Sequence, residues 1–564
     1  MGTRTSAPNQ VKYINSIGKA FSSWQQSLPA GLSNLGLVLA ILALFIYLGT
    51  LSRQYQSDGV QFALVVENEN PQELIEANHL LYPMVGMWFY QVWRFVGWQG
   101  GALIPLQVFS AIGGALSVGL MYGICRGITN SRPISALIAL GFGISHGTWI
   151  YSTDSEVVTF SLIGPLLVLF ILIKSSVSHD RFHSMVVAVT LGLLCSLSII
   201  SYQTNILLIP VIVVGFLLER ASEWRSRLNA TMLFLVVTVS VTASIFLLFA
   251  YIEFGRTDFE SFSRWAFHIS QVSLWGHPSI GSLVTGGYGF LKSVAGFSGL
   301  SPGSRTSFFL AEASGIQPIL WGCFYSIVLV AVLFPIFLAY RQRKHLALRQ
   351  REFFILTTWG LFYGVFAVYW VPGDVQFWMP VLIVWWLLVG FLLTSVKVSA
   401  FADTRFPFKS LERTTALLAA GVVLLFLINL FASILPNLSL SQNRAYQIAQ
   451  SVEEHTLPQD LIITTGGDSL YLYIPYFGHR KTETVLQQLL YPGATKEGVF
   501  RSIAQKIAET NEVGGRVFLV GVYPGKDVWW DTLRDIGVTR KDFETFTTIS
   551  AWSIQGEEVR ELLP

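Results

Sequence analysis

The residues of this chain that could do chemistry are carboxylates and histidines set close to apolar runs. Asp58 stands in Ser57-Asp58-Gly59, a few residues past an apolar run that ends at Leu51. A carboxylate there could act as general base on an acceptor hydroxyl, given hydrogen-bond reach. Its plain alternative is a solvated loop acid. Asp154 and Glu156 form a second acidic spot in Ser152-Thr153-Asp154-Ser155-Glu156. They suit work on a substrate, and equally helix capping, with Asp154 or Ser155 as N-cap and Glu156 in the first turn. His79, in Asn78-His79-Leu80-Leu81-Tyr82-Pro83, could hydrogen-bond a phosphate or a sugar, or serve as a structural histidine at an interface. Asp374 sits in Pro372-Gly373-Asp374-Val375-Gln376, where turn chemistry also explains it. Thr465-Gly466-Gly467-Asp468-Ser469 follows a strand pattern and precedes a helical one, a place for an anion or sugar. It lacks the spacing of a dinucleotide fingerprint or a P-loop.

Composition fixes the setting of these groups. The chain has 564 residues, 52% hydrophobic and 14% aromatic, with 13% charged and a mean hydropathy of +0.53. A soluble globular chain carries roughly 25% charged residues, so apolar surface on this scale must face lipid. A formal net charge of +3 is too small to imply a nucleic-acid partner. The three cysteines, Cys125, Cys195 and Cys323, lie in or at the end of apolar runs and cannot build a disulfide framework or a Cys-based metal site. Lys12 and Lys19 precede Leu32–Leu51, a run of full spanning length that reads as an uncleaved first helix.

Ten further runs reach or approach spanning length: Leu103–Ile124, Ile134–Tyr151, Val157–Ile173, Met185–Ile200, Ile206–Leu218, Met232–Ile252, Ile319–Tyr340, Phe353–Trp370, Phe377–Leu393 and Ala416–Leu435. Ile206–Leu218 is short for a span. One set of loops is basic, with Arg126 and Arg132, Lys174 and Arg181, Arg220, Arg225 and Arg227, then Arg341 to Arg351 and Lys397 to Arg413. Positive loops stay cytoplasmic, which places the N-terminus inside and the C-terminal region outside. Leu80–Trp98 is apolar but would put Arg126 and Arg132 outside if it spanned. Its Tyr82, Trp88, Tyr90, Trp93 and Trp98 favour the headgroup layer, so it reads as a helix in the outer interface. The expected architecture is mainly α: a polytopic membrane domain of about eleven helices over residues 32–436, after a cytoplasmic segment 1–31. External loops fall at 52–102 and 255–315, and a small extracytoplasmic α/β domain follows at 437–564. Leu461–Thr465 and Val517–Val522 read as its strands, with helical patterns between and after them.

Four places make the membrane region resemble the GT-C superfamily of polytopic glycosyltransferases, and within it the branch related to protein O-mannosyltransferases. Asp58-Gly59 followed by His79 and Tyr82-Pro83 is similar to that branch's first external loop. His146-Gly147-Thr148-Trp149 through Glu156-Val157 is similar to its Phe-Trp…Glu-Val-Tyr stretch. Ser201-Tyr202-Gln203-Thr204-Asn205 stands at the place of a Gly…Asn-His stretch, and Trp370–Asp374 with Phe377–Pro380 is similar to a Gly-Asp…Tyr-Phe…Pro stretch. Gly467-Asp468 matches a Gly-Asp of the external domain. The chain departs from the pattern at Leu80-Leu81, where prolines are usual, and at Gln203-Thr204-Asn205, which lacks the histidine.

The resemblance implies a polyprenyl-phosphate sugar donor, Asp58 as catalytic base, Glu156 as second acid, and substrate contacts from His79, Tyr82, Asp154, Gln203 and Asp374. The acceptor would be a glycan, lipid or protein, and the transfer inverting. Arg256, Arg264, Lys292 or His79 would stabilise the departing phosphate. No cofactor is required and no structural metal is expected, although Asp58 and Glu156 leave room for a weakly held divalent cation. The rival class is a transporter or flippase of lipid-linked saccharides, which should show midplane charges and inverted repeats. A bacterial inner membrane is the expected location.

Overall fold

The computed structural model describes residues 34–69, 74–174, 181–219, 223–255, 258–267, 279–296, 350–399, 411–466, 469–489, 494–523 and 537–563, with a few isolated positions between them. It is a polytopic helical membrane protein with a small C-terminal sheet. Seven described helices are long and apolar enough to cross a membrane: Leu103–Thr129, Val157–Lys174, His183–Ser201, Trp224–Ile252, Gln350–Tyr369, Val375–Thr394 and Glu412–Leu438. An eighth span is broken, with Arg132–Ile144 and His146–Ser152 meeting at 62°. Asn34–Leu48 and Gln203–Leu217 are shorter apolar helices. The second opens as a 3-10 turn over Gln203–Leu207. The expected span Ile319–Tyr340 lies outside the described residues, apart from isolated positions.

The helix Leu103–Thr129 is the hub. Its small residues let neighbours approach: a Cβ on Gly113 would lie 3.1–3.3 Å from the backbone of Thr159 and Phe160. Such close approach drives packing where lipid removes the hydrophobic push between helices. Buried amides inside the bundle find partners. Asn205 accepts from the Tyr363 hydroxyl at 2.9 Å and donates to the Ser198 carbonyl at 3.0 Å. Asn429 donates to the carbonyls of Ile144 and Val294 at 2.8 and 3.0 Å.

The two ends of the bundle differ. Arg351 closes one end, donating to the carbonyls of Leu172 and Gly215 and pairing with Glu219 at 3.3 Å. At the other end the loops bind each other: Ser52 N–H donates to the Thr153 carbonyl, Gln107 to those of Ser52 and Thr153, and Gln203 N–H to that of Asn78. Here the segment expected at the interface forms a helix, Leu81–Phe95, that buries Tyr82, Pro83, Gly86 and Tyr90. Trp88, Val92 and Phe95 stand exposed one turn apart on the opposite face.

The C-terminal sheet runs β2-β1-β3-β5-β4, where β1 is Leu461–Thr464, β2 Lys481–Thr484, β3 Val517–Tyr523, β4 Thr548–Ile554 and β5 Glu557–Leu562. Strands β2, β1 and β3 are parallel, and β5 and β4 close the sheet antiparallel. β1 and β3 match the two buried apolar runs. Of the stretch directly after β3, where a helical pattern is expected, residues 524–532 and 535–536 lie outside the described residues and Leu533 and Arg534 are helical; a short helix, Arg540–Phe543, and the β4–β5 hairpin follow. That hairpin turns at Gln555-Gly556, both at positive φ, 52° and 77°.

Candidate active site

Asp58 lies in the first turn of the helix Ser57–Asn68, whose backbone is pressed against the loop 153–156. Asp154 Oδ2 accepts from Gln56 N–H at 2.7 Å, and its Oδ1 accepts from Ser155 N–H at 2.8 Å. Gly59 N–H donates to the Glu156 carboxylate. Only glycine fits at 59, because a Cβ would land on the Ser155 hydroxyl and 3.3 Å from Asp154 Oδ1. The sequence Asp-Gly thus lets two loops touch through their backbones.

This contact gathers carboxylates. Asp154 and Glu156 are buried, Asp58 is partly buried, and all lie in electrostatic range of one another and of Asp374. Asp374 Oδ1 accepts from Gln376 N–H at 3.0 Å and from the Tyr151 hydroxyl at 3.3 Å. Glu76 reaches the same cluster and feels the charge of Asp58. Tyr202 also faces Asp374, Asp58 and Glu156.

Crowding of acids away from water raises their pKa. Burial and the neighbouring Asp374 push Asp58 up to about 6. Burial, with a contribution from Asp58, pushes Glu76 and Asp154 each up to about 7. Glu156 is driven well above the usual carboxylate range by burial and by Asp58, Asp154 and Asp374. Its Oε2 has no partner among the described residues. Among the described residues, the cation in range of Asp374 is Lys292, on the amphipathic helix Ile280–Val294. Burial lowers its pKa while Asp374 holds it up.

The remaining candidates separate into several roles. His79 is sandwiched between Tyr202 and Phe62, with ring centroids 4.8 and 5.8 Å away. Burial pushes it down to about 3. It is therefore a neutral hydrogen-bonding group at neutral pH, and its Nδ1 has no partner among the described residues. Tyr82 is fully buried against Phe62, its hydroxyl 3.5 Å from Ser110 Oγ, so it packs the core behind the site. Gln203 is a stitch, donating from Nε2 to the Ala266 carbonyl at 2.8 Å. Arg264 is exposed and paired with Glu260 at 3.4 Å. Arg256, and the Gly467-Asp468 of the C-terminal loop, lie outside the described residues.

Helix capping does not explain Asp154 and Glu156. The N-cap of Val157–Ser161 is Glu156 itself, which makes no side-chain cap bond. Asp154 spends Oδ2 on the Gln56 N–H of the first loop and Oδ1 on the N–H of its neighbour Ser155. Glu76, Tyr151 and Tyr202 were not foreseen. Glu76 is one acid among several in its loop, and the two tyrosines lie within stretches of the family resemblance without being singled out there; only the folded contact of distant loops marks them. Among the described residues, no three His, Cys, Asp or Glu side chains converge at metal-ligand spacing.

An apolar groove of about 450 Å³ is lined by Leu207 and by Leu361, Phe362, Val365, Phe366 and Tyr369 of the span Gln350–Tyr369. Leu207 ends the turn that follows Tyr202, and Tyr369 leads into the loop of Asp374, so both sides of the groove connect through short stretches of chain to the carboxylate cluster.

No protein-family model and no curated protein sequence matches the chain. Solved structures do. ArnT from Cupriavidus metallidurans bound to undecaprenyl phosphate aligns with a TM-score of 0.55 at 14% identity, over 94% of this chain and 98% of that one. Its apo state gives 0.53 at 13% over the same shares. The Archaeoglobus fulgidus oligosaccharyltransferase, in complex with Zn and sulfate, gives 0.49 at 14%, over 86% of this chain and 67% of that one. The fold of this chain is the fold of ArnT. At this identity the likeness is one of architecture, over nearly the whole of both chains.

Proposed function

We propose that the chain is a membrane glycosyltransferase of the GT-C kind, moving a sugar from a polyprenyl-phosphate carrier to an acceptor hydroxyl at the outer membrane face. The observation that carries the reading is the pairing of two unlike surfaces. A partly open carboxyl, Asp58, has its pKa pushed to about 6 by burial and by the neighbouring Asp374, and the turn and the span that line an apolar groove lead on to Asp374 and Tyr202 of the same cluster. A lipid-linked sugar has that shape: an apolar tail and a polar reacting head. The shared fold with an ArnT that binds undecaprenyl phosphate supports the same class of donor.

In this reading Asp58 accepts the proton of the acceptor hydroxyl, whose oxygen attacks the anomeric carbon. The carbon–oxygen bond to the carrier breaks, and its electron pair leaves with the polyprenyl phosphate, giving inversion. A base with a pKa near 6 is ionised at neutral pH yet basic enough to share the proton in the transition state. Lys292, close to Asp374, is the group proposed to meet the growing phosphate charge. His79 supplies a neutral hydrogen bond rather than a charge. Glu156, in its buried seat, positions the acceptor or the sugar. The protein O-mannosyltransferase-related branch is the proposed place within the superfamily. The proposed setting is a bacterial inner membrane, with the N-terminus cytoplasmic and the C-terminal region outside.

The test is transfer of labelled sugar from a panel of polyprenyl-phosphate sugars by the purified protein, beside mass spectrometry of lipid-linked sugars in a deletion strain. Accumulation of one charged carrier in that strain, with transfer in vitro, is the expected result. Unchanged carrier pools with no transfer from any donor would discard the reading.

A further inference from the structure

The stretch between the first apolar helix and Ser57 has almost no hydrogen-bonded structure of its own. Its backbone groups are taken up by the C-terminal region instead. Arg53 N–H donates to the Asn437 carbonyl at 2.7 Å. Gln54 Nε2 donates to the Ser439 carbonyl at 2.9 Å, and Asn443 Nδ2 to the Arg53 carbonyl at 2.9 Å. Tyr473, fully buried on the helix Leu470–Phe477, donates its hydroxyl to the Tyr55 carbonyl at 2.6 Å and accepts from Asn443 at 3.2 Å. The ring of Tyr55 stacks on Phe477, centroids 5.6 Å apart.

The grip extends past Asp58 to the far end of its helix. Tyr476, one residue before Phe477, donates to Glu67 Oε1 at 2.7 Å, and the same oxygen accepts from Ala102 N–H at 2.6 Å. One helix of the C-terminal region therefore holds the helix Ser57–Asn68 before its first turn and near its last. The membrane bundle supplies the opposing contacts, through Gln56 N–H to Asp154 and Gly59 N–H to Glu156.

We propose that the C-terminal α/β region is a positioning part of the active site, in which Tyr473 and Asn443 fix the backbone of residues 53–56 and so set the reach of Asp58. This rests on Asp58 being the base of the transfer proposed above. A region kept only to bind glycan or to add stability has no need to saturate the carbonyls three and five residues ahead of a reacting carboxyl. Displacing a catalytic group by about 1 Å costs on the order of 10²-fold in rate. Loss of one of these anchoring bonds, with the others kept, should cost about tenfold.

Tyr473→Phe in the full chain is the test, with two readouts. For sugar transfer, kcat per folded molecule should fall about tenfold, with the donor KM within about twofold and the acidic limb of the pH profile displaced. By hydrogen exchange, the amides of residues 55–60 should exchange faster than in the parent protein. A variant with lowered thermal midpoint but parental kcat, pH limb and exchange overturns the proposal and leaves a merely stabilising contact. If Tyr473→Phe does not accumulate, Gln54→Ala removes a neighbouring anchor at a less buried site, and the same outcomes decide. If the parent protein transfers no sugar at all, the transfer reading fails on its own, and unchanged exchange at 55–60 in the variant would separately end the positioning claim.

Discussion

Replacing Asp58 by Asn separates a catalytic carboxylate from a structural one, because the two roles move stability in opposite directions. Asn keeps size and hydrogen bonding and removes basicity. A general base contributes roughly 10²–10⁴ in rate, about 3–5 kcal/mol at 1.36 kcal/mol per decade, so transfer should fall by that factor while donor binding holds. Stability follows from the pKa. Asp58 rises from 3.8 to about 6 in the fold, through burial and Asp374. The folded chain therefore keeps this proton over a range where the unfolded chain has lost it, and stability is lost as pH climbs from about 4 to about 6. Two pKa units correspond to about 3 kcal/mol, and partial exposure trims this to about 2 kcal/mol. At pH 7 that penalty is fully present, so Asp58→Asn should unfold at a higher temperature than the parent at pH 7, with the gain vanishing near pH 4. The assays are a pH–rate profile of sugar transfer and thermal unfolding in detergent across pH. The parent's kcat/KM should rise with pH through about 6, and the variant's residual rate should lack that limb. Turnover close to the parent's refutes the base assignment. So does a lowered midpoint with a matching loss of rate, which would make Asp58 a structural acid and pass the role to Glu156.

Gly59→Ala should lower kcat by on the order of 10²-fold, because its Cβ would push the loop 153–156 away from Asp58; transfer measured beside expression level checks this, and a parental rate would show that the loops need not touch. Lys292→Gln should reduce kcat/KM for the lipid donor by about 10²-fold, the scale of losing one stabiliser of developing charge, with Lys292→Arg recovering part of it. Equal activity in all three proteins would move the phosphate contact elsewhere. A C-terminal alkaline phosphatase fusion should be active and a green fluorescent fusion dark, and the reverse pattern would put the carboxylate cluster on the cytoplasmic face.

The membrane helices were legible because length and apolarity alone demand them: runs such as Leu103–Ile124 and Phe377–Leu393 appear as Leu103–Thr129 and Val375–Thr394. The break in the third span was not, since Gly143-Ile144-Ser145-His146 reads as continuous apolar chain. It depends on Ser145 leaving the helical region and on partners far away, Asn429 at the Ile144 carbonyl and Ser433 at His146. β1 and β3 were visible as buried apolar runs. β2, Lys-Thr-Glu-Thr, is polar and half-exposed at the sheet edge, and the β4–β5 hairpin turns on Gln-Gly rather than the commoner Asn-Gly. In the site, Asp58, Asp154, Glu156 and Asp374 stood out because a carboxylate beside an apolar run is costly. Which of them is a clamp and which is open to a substrate is set by backbone donors from other loops, and no local sequence encodes that. Asp154, Glu156 and Asp374 each have a partner about a hundred or more residues away, as Gln56 is from Asp154, Gly59 from Glu156 and Tyr151 from Asp374.

The distribution of polarity also separates surface chemistry from passage through the bilayer. A transporter needs ionisable or unsatisfied polar groups near the midplane that can exchange partners with cargo. In every described span, each Asp, Glu, Lys and Arg falls in the first or last turn, as with Arg126, Lys174, Arg227, Arg351 and Glu412. The buried amides between the ends are committed: Asn205 to Tyr363 and Ser198, Asn429 to Ile144, Val294 and Gly296. Releasing any of these bonds inside the bundle would leave a bare polar group at a penalty of several kcal/mol. The carboxylates with displaced pKa values, by contrast, crowd at one end, where Glu156 Oε2 and His79 Nδ1 lack partners among the described residues; inside the spans the unpartnered atoms, such as Thr242 Oγ1 and Trp359 Nε1, are uncharged. A bundle with no described charge near its midplane, and with its carboxylates gathered at one end, suits the proposed reaction of a head group there better than its passage across.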